Sequence, residues 1–368
     1  MALLLSHPRR PAPRRTEIVE ELRRRIVNGE IKPGGQLPPR TKLVEHFGTS
    51  AMTLQHAVDV LRHEGFIVDE PRHGTFVAEN PPHLSRYAIV LGEGSAGLYG
   101  SFTAALRRHV AEVEKERSCN FVLYENVTGQ PDTVEYRELL RDVRSRRLAG
   151  LLLRADACGA ALPGTPFMTI PGIPRVFISG DPEQAPRCPG VPTISNDDHA
   201  LLDHALDYLC ERGRRRVALL SGGESSEGDT ADFLLRAERR GMTAKGRWVL
   251  GPSLKEAPRV TELLLSLPPG ERPDGLILIT ESLIKPVGAG ISAIGTEAGR
   301  DLDVVAYCHL PCPGPAPFPM RRLGVDMRER LRIALDLLDR QQRGESVPPR
   351  VLLSPVFDEE LSRSANVT

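Results

Sequence analysis

Arg40, Ser50, Ala51, Thr53, Gln55, His56, Arg72, His73, Gly74 and Thr75 have the chemistry to hold a polyanion and read its edges. Ser50 precedes "AMTLQHAVDVLRHE", in which Leu54, Val58 and Leu61 recur at helical spacing, so it is placed to cap that helix. Ala51, Met52, Gln55, Asp59 and Arg62 then fall on the outward face. A helix start offers backbone N–H groups to phosphate, and Ser50 and Thr53 add hydroxyls. Ala51, Met52, Gln55 and His56 are the candidate base readers: Gln bonds adenine bidentately, and an Ala methyl packs on a thymine methyl. Each of these alone is as readily a solvated surface residue; their common setting makes them specific.

That setting is a set of short elements. Ile18, Leu22 and Ile26 put one apolar stripe on a first helix over 16–28, ended by Gly29, Pro33, Gly34 and Gly35. Leu37 pins the turn. A short helix over 40–47 turns Leu43, Val44 and Phe47 inward and Arg40 and Lys42 outward, and "FGTS" turns tightly into the next helix, which Gly65 stops. Phe66 to Glu70 and Thr75 to Glu79 pair as a hairpin with Arg72 and His73 at its tip, within reach of phosphates or a minor groove. Two helices across a tight turn followed by a wing form a winged helix-turn-helix, whose second helix enters the major groove of double-stranded DNA.

The chain has 368 residues, enough for two or three units. Its 48 Lys and Arg balance 48 Asp and Glu, so DNA binding needs a local basic surface. Arg9, Arg10, Arg14, Arg15, Arg23, Arg24 and Arg25 are expected to supply it against Glu17, Glu20 and Glu21. Residues 1–15 read as a disordered basic arm, 16–78 as the DNA-binding domain and 79–86 as a linker. Residues 87–365 form the remaining unit. There, short apolar runs such as "YAIVLG", "AGLLLR", "RVALLSG" and "GLILIT" alternate with amphipathic helices, the mark of parallel α/β sheets covered on both faces. Two similar lobes over about 87–190 and 191–310, with a last helix at 326–343, are expected. Ligand then sits between the lobes at the carboxyl ends of the strands. Arg154, Asp181, Asp232, Glu281 and His309 are the polar strand-end candidates, each also readable as a plain structural residue.

The six cysteines form no CxxC pair, and "CHLPC" at 308–312 misses the usual zinc spacings, so no metal or cofactor is expected. Scattered thiols fit a reducing, cytoplasmic setting. "MALLL" is too short for a signal-peptide core, and no run reaches the roughly 18 apolar residues that span a membrane. "VLGEGSAGLYG" is misspaced for a dinucleotide loop. With no P-loop, GxSxG or HExxH either, an enzyme is not expected.

"IVEELRRRIVNGEIKPGGQLPPRTKLVEHFGTSAMTLQHAVDVLRHEGFIV" and "RHGTFV" resemble the GntR family of bacterial winged-helix repressors across the whole N-terminal module. The resemblance implies Ser and Glu where Pro39 and Arg40 stand, and arginines at Ala51 and Gln55, so an operator unlike the family's common one is expected. Downstream, "TISNDDHALLDHALDYLCERGRRRVALLSG", "RPDGLILITESL", "GRDLDVVAY" and "LGVDMRERLRIALDLLDRQQRGESVPPRVLLSPVF" resemble the LacI-type, periplasmic-binding-protein-like effector domain. The pairing is similar to arabinose-repressor-type regulators. It implies a homodimer on a palindromic operator, controlled by a small molecule such as a sugar or related metabolite. Sugar binders of that type usually carry an Arg near Asp229, Thr230 and Asp232, Asn-Asp at Thr280 and Glu281, and Asp at Cys308 or His309. Losing such hydroxyl partners argues against a common sugar in the usual pose. A constitutive DNA binder whose cleft no longer senses a sugar is the alternative.

Overall fold

The computed structural model describes residues 15–92, 100–127, 130–155, 164–180, 188–223, 226–312 and 315–365, the last four as backbone only. The expected basic arm, with Arg9, Arg10 and Arg14, lies outside them. The chain opens with α1 (Arg15–Val27), α2 (Arg40–Phe47) and α3 (Ala51–His63). Ile18, Leu22 and Ile26 of α1 are buried with Leu54, Val58 and Leu61 of α3 and with Leu37 and Leu43. Each such burial is worth about 1.5–3 kcal/mol, which is what holds so small a unit together. Gly48 ends α2 in the left-handed region at φ 57°, letting three residues reverse the chain into α3. The wing pairs β1 (Ile67–Glu70) with β2 (Gly74–Val77), Ile67 opposite Val77 and Glu70 opposite Gly74.

The expected linker is a packed joint. It contains α4 (Pro82–Ser85), whose Pro82 and His83 are buried. The His83 ring stacks on Phe66 at 5.9 Å, and its carbonyl accepts a hydrogen bond from Gln342 Nε2 at 3.0 Å.

The next elements are β3 (Arg86–Val90), α5 (Gly100–Arg117), β4 (Asn120–Tyr124), α6 (Val134–Arg144) and β5 (Gly150–Arg154). Then come α7 (Pro166–Thr169), β6 (Arg175–Ile178), β7 (Thr193–Asn196), α8 (Asp198–Glu211) and β8 (Val217–Leu220). They are followed by α9 (Glu227–Arg239), β9 (Val249–Leu250), α10 (Ala257–Leu265), β10 (Gly275–Leu278) and α11 (Ile284–Ala293). The chain continues with β11 (Asp303–Leu310), β12 (Arg321–Asp326), α12 (Met327–Gln342), β13 (Arg350–Leu353), β14 (Val356–Phe357) and α13 (Asp358–Ala365). One six-stranded sheet runs β13-β7-β6-β5-β3-β4, all parallel. The other runs β14-β12-β11-β10-β8-β9, with only β14 antiparallel.

Both faces of each sheet are covered, as the continuous apolar strands require. In the first lobe Tyr87 and Ile89 face α5 and α12, while Ala88 and Val90 face α6 and Phe167. In the second, Leu276 and Leu278 face α10 and α11, and Ile277 faces α8 and Phe233.

The expected division at residue 190 is corrected. "TISN" is β7 and belongs to the first sheet, so the chain crosses to the second lobe only after Asn196. It returns with α12, whose Leu331, Ala334, Leu335 and Leu338 pack on the first lobe, and crosses again between β13 and β14. The two lobes are thus joined three times. Apolar runs alone do not reveal this, because a strand reads the same whichever sheet it joins.

Candidate nucleic-acid interface and interlobe cleft

Ser50 caps α3 as its type and position require: its Oγ accepts the Thr53 backbone N–H at 3.1 Å and lies 2.9 Å from the Thr53 hydroxyl. Ser50, Ala51 and His56 are exposed, Met52 is 66% exposed, and Thr53 and Gln55 are half-buried. Gln55 Nε2 donates to Asp59 Oδ1 at 2.8 Å. Asp59 is gripped in turn by Arg62, whose guanidinium also reaches Asp69 of the wing at 2.7 Å. Asp59 is held below the usual carboxylate range, first by the Gln55 bond and then by Arg62. Gln55 therefore offers its carbonyl and one amide hydrogen outward, while the second is committed.

The wing tip forms as expected. Arg72 adopts φ 68° and His73 N–H closes the turn on Glu70 O at 3.0 Å. Gln36 Nε2 donates to His73 O at 2.6 Å, and Thr75 Oγ1 donates to Asp69 Oδ1 at 2.7 Å. Gly74 sits at φ 121° beneath Gln36, where a Cβ would lie 2.8 Å from Nε2. Arg40 and Arg72 are exposed and have no acidic partner among the described residues.

The expected basic surface on the first helix is corrected. Arg23 is buried against Glu64 at 2.5 Å. Arg24 bonds Glu21 and Glu30, and Arg25 bonds Glu21 at 2.8 Å. Glu21 is pushed down to about 2, chiefly by its bonds to Arg24 and Arg25. Counting charges missed this, because Glu30 and Glu64 lie outside the stretch and reach it only through the fold.

Between the lobes, the structure brings together three of the five sequence-derived candidates. Arg154, at the end of β5, lies 4.2 Å over the ring of Phe102 from α5. His309 meets the same ring edge-on at 5.4 Å, and its backbone N–H donates to Glu281 Oε2 at 2.9 Å. The Tyr307 hydroxyl lies 3.0 Å from His309 Nδ1. His309 is held well below its ordinary value, first by burial and then by the charges of Arg330 and Arg154, so it is a neutral ring at neutral pH. Burial raises Glu281.

Asp232 is elsewhere. It bonds Arg236 at 2.7 Å within a network joining α8 and α9, where Arg236 also holds Asp203. Asp181 lies outside the described residues. Sequence reasoning missed Phe102, Tyr307, Asn196 and Arg330. Arg330 Nη2 donates to Asn196 Oδ1 where two of the lobe crossings meet, and the arginine is only 2% exposed. It had a readable signal: it falls on the apolar face of α12 with Met327 and Leu331, where a charge is costly unless it is partnered.

Residues 14–77 match the model "Bacterial regulatory proteins, gntR family". The chain is 37% identical over 74 residues to the uncharacterized HTH-type transcriptional regulator YdcR of Escherichia coli K12, covering 20% of this chain and 16% of that protein. It is 39% identical over 57 residues to the HTH-type transcriptional repressor NagR of Bacillus subtilis 168, covering 16% of this chain and 24% of that one. The matched segment thus spans about a sixth to a quarter of these relatives. Among solved structures, a LacI family transcriptional regulator from Bifidobacterium animalis subsp. lactis superposes with a TM-score of 0.56 at 20% identity. That match covers 75% of this chain and 96% of the other. The N-terminal module is therefore a gntR-type helix-turn-helix, and the two-lobed remainder has the fold of LacI-type, periplasmic-binding-protein-like domains. No helix among the described residues is long and apolar enough to cross a membrane.

Proposed function

We propose that this protein is a ligand-responsive transcriptional repressor of the cytoplasm. In this reading residues 16–78 bind a palindromic double-stranded operator and 87–365 form the effector-binding and dimerisation unit. Arg40, Ser50, Ala51, Thr53, Gln55, His56, Arg72, His73, Gly74 and Thr75 contact DNA. Arg154, Glu281 and His309 face the effector, and Asp181 and Asp232 remain sequence-based candidates.

One observation supports it most: the recognition helix is tied directly to the first lobe. Glu64, just past the end of α3, pairs with Arg23 and lies 3.9 Å from Arg147, which bonds Asp142 of α6 at 3.1 Å. A change in how the lobes close has a short polar route to the DNA-reading helix, and a dimer converts that change into half-site spacing.

The reading is tested by selecting binding sites from random DNA with the full chain, then titrating small molecules while following operator release by fluorescence anisotropy. Inverted half-sites bound by two chains, and release by at least one compound, are expected. Binding that follows salt alone, with no sequence preference, would sink it.

A second reading, a constitutive DNA binder, is favoured by Phe102, which wedges between Arg154 and His309 where ligand is expected. Selective operator binding that no compound alters, with Phe102→Ala equally unresponsive, supports that reading.

A further inference from the structure

We propose that Cys308, Cys312 and Glu281 form a binding site for a thiophilic divalent transition-metal ion, zinc being the best fit. The two sulfurs and a carboxylate oxygen lie within 4.8 Å of one another. Tetrahedral zinc with thiolate and carboxylate ligands places its donors about 3.4–3.8 Å apart, so each pair closes by roughly an ångström at most.

The sequence offers only a Cys-x3-Cys pair. The fold supplies the third ligand from 27 residues upstream, because β10 and β11 are parallel neighbours and Glu281 follows the end of β10. Cys308 is 1% exposed, whereas Cys312 and Glu281 are half-buried.

The carboxylate is already aimed. Its Oε2 accepts the His309 backbone N–H at 2.9 Å, the kind of outer hydrogen bond that orients a metal-binding carboxylate. Cys312 Sγ lies 3.7 Å from His309 O on the same turn. Arg322, which also pairs with Asp358 at 3.4 Å, acts on all three groups and Arg108 acts on Glu281, so the two arginines partly offset the surplus negative charge of two thiolates and a carboxylate on a divalent ion. Binding displaces both thiol protons: one M²⁺, two Cys–SH and one Glu carboxylate give the coordinated ion and two H⁺. A disulfide between the same sulfurs would have no use for the converging carboxylate. Sulfur ligands select zinc and other thiophilic ions over magnesium or calcium. Coordination would fix the 308–312 turn, whose Pro311 carbonyl meets His109 Nε2 of the first lobe at 3.3 Å.

The test uses the full chain, freed of metal and kept reduced with a phosphine, titrated with Co²⁺. Thiolate-to-cobalt charge-transfer absorption with tetrahedral d–d bands is expected, saturating at one ion per chain and displaced by Zn²⁺. Cys312→Ser should abolish the charge-transfer signal. Glu281→Gln should weaken binding by more than the ~10–100-fold that losing an outer-shell partner costs. Cys210→Ser should change nothing. Because Cys308 is fully buried, the Cys312 and Glu281 variants carry the test, with far-ultraviolet circular dichroism confirming their fold. No saturable absorption in the wild type, Glu281→Gln binding like wild type, Cys210→Ser losing the signal too, or a Cys308–Cys312 disulfide persisting under reductant would each overturn the site.

Discussion

Gln55 hands one amide hydrogen to Asp59 a turn further along the recognition helix, at 2.8 Å. The side chain is thereby held in one orientation before any DNA arrives. Gln55→Ala should cost about 1–3 kcal/mol of discrimination at one base pair per half-site. Asp59→Ala should broaden preference at that same pair while tightening binding to unrelated DNA, since it removes a negative charge from the reading face. Anisotropy titrations on single-base operator variants check both; an Asp59→Ala profile identical to wild type would show that the contact is idle.

Gly74 combines φ 121° with a Gln36 amide 2.8 Å from where a Cβ would sit. Gly74→Ala should distort the wing tip at a cost of about 1–3 kcal/mol. Operator affinity should fall while the two-lobed unit unfolds at the wild-type denaturant concentration. Unchanged affinity would mean that the wing does not touch DNA.

Arg23 and Glu64 are paired with side chains 9% and 14% exposed. Removing either alone leaves the other buried without its main partner, so Arg23→Ala or Glu64→Ala should destabilise the N-terminal module by about 3 kcal/mol. Replacing both with apolar residues of similar size should recover most of that loss. Urea unfolding of the four proteins measures it, and additive losses in the double variant would refute the coupling.

His83 stacks on Phe66, and burial pushes its pKa down to about 4. Its Nδ1 is buried without a partner among the described residues. The folded value lies below the unfolded value of about 6.5, so the unfolded chain takes up the proton first. Stability from this group is complete above pH 6.5 and is lost as pH falls from 6.5 to 4, by about 3 kcal/mol at most. His83→Phe keeps a ring on Phe66 and should flatten that part of the pH profile of urea midpoints; an unflattened profile would assign the acid sensitivity elsewhere.

The N-terminal elements were legible because the ends of their helices are set locally, by residues such as Gly48, Ser50 and Gly65 that act within a few positions. The alternation of strands and helices was legible for the same reason. The crossings were not, since nothing in "TISN" says that its neighbours in the sheet are β6 and β13. Charges fared worst. Arg23 reads as surface basic charge until Glu64, 41 residues later, folds against it. Asp232 and Glu281 look alike as strand-end acids, yet one is absorbed by Arg236 on a helix surface and the other turns inward to His309. Phe102 carried no signal as the meeting point of Arg154 and His309, because an aromatic on an amphipathic helix reads simply as core.

Residues 350–357 supply an edge strand to each sheet, β13 to the first lobe and β14 to the second. During synthesis, then, neither lobe is finished until residues 350–357 have emerged from the ribosome. The N-terminal module, whose core is drawn entirely from residues 18–77, can fold long before. A nascent chain therefore carries a formed helix-turn-helix head ahead of two open-edged sheets, and it completes both lobes almost at once.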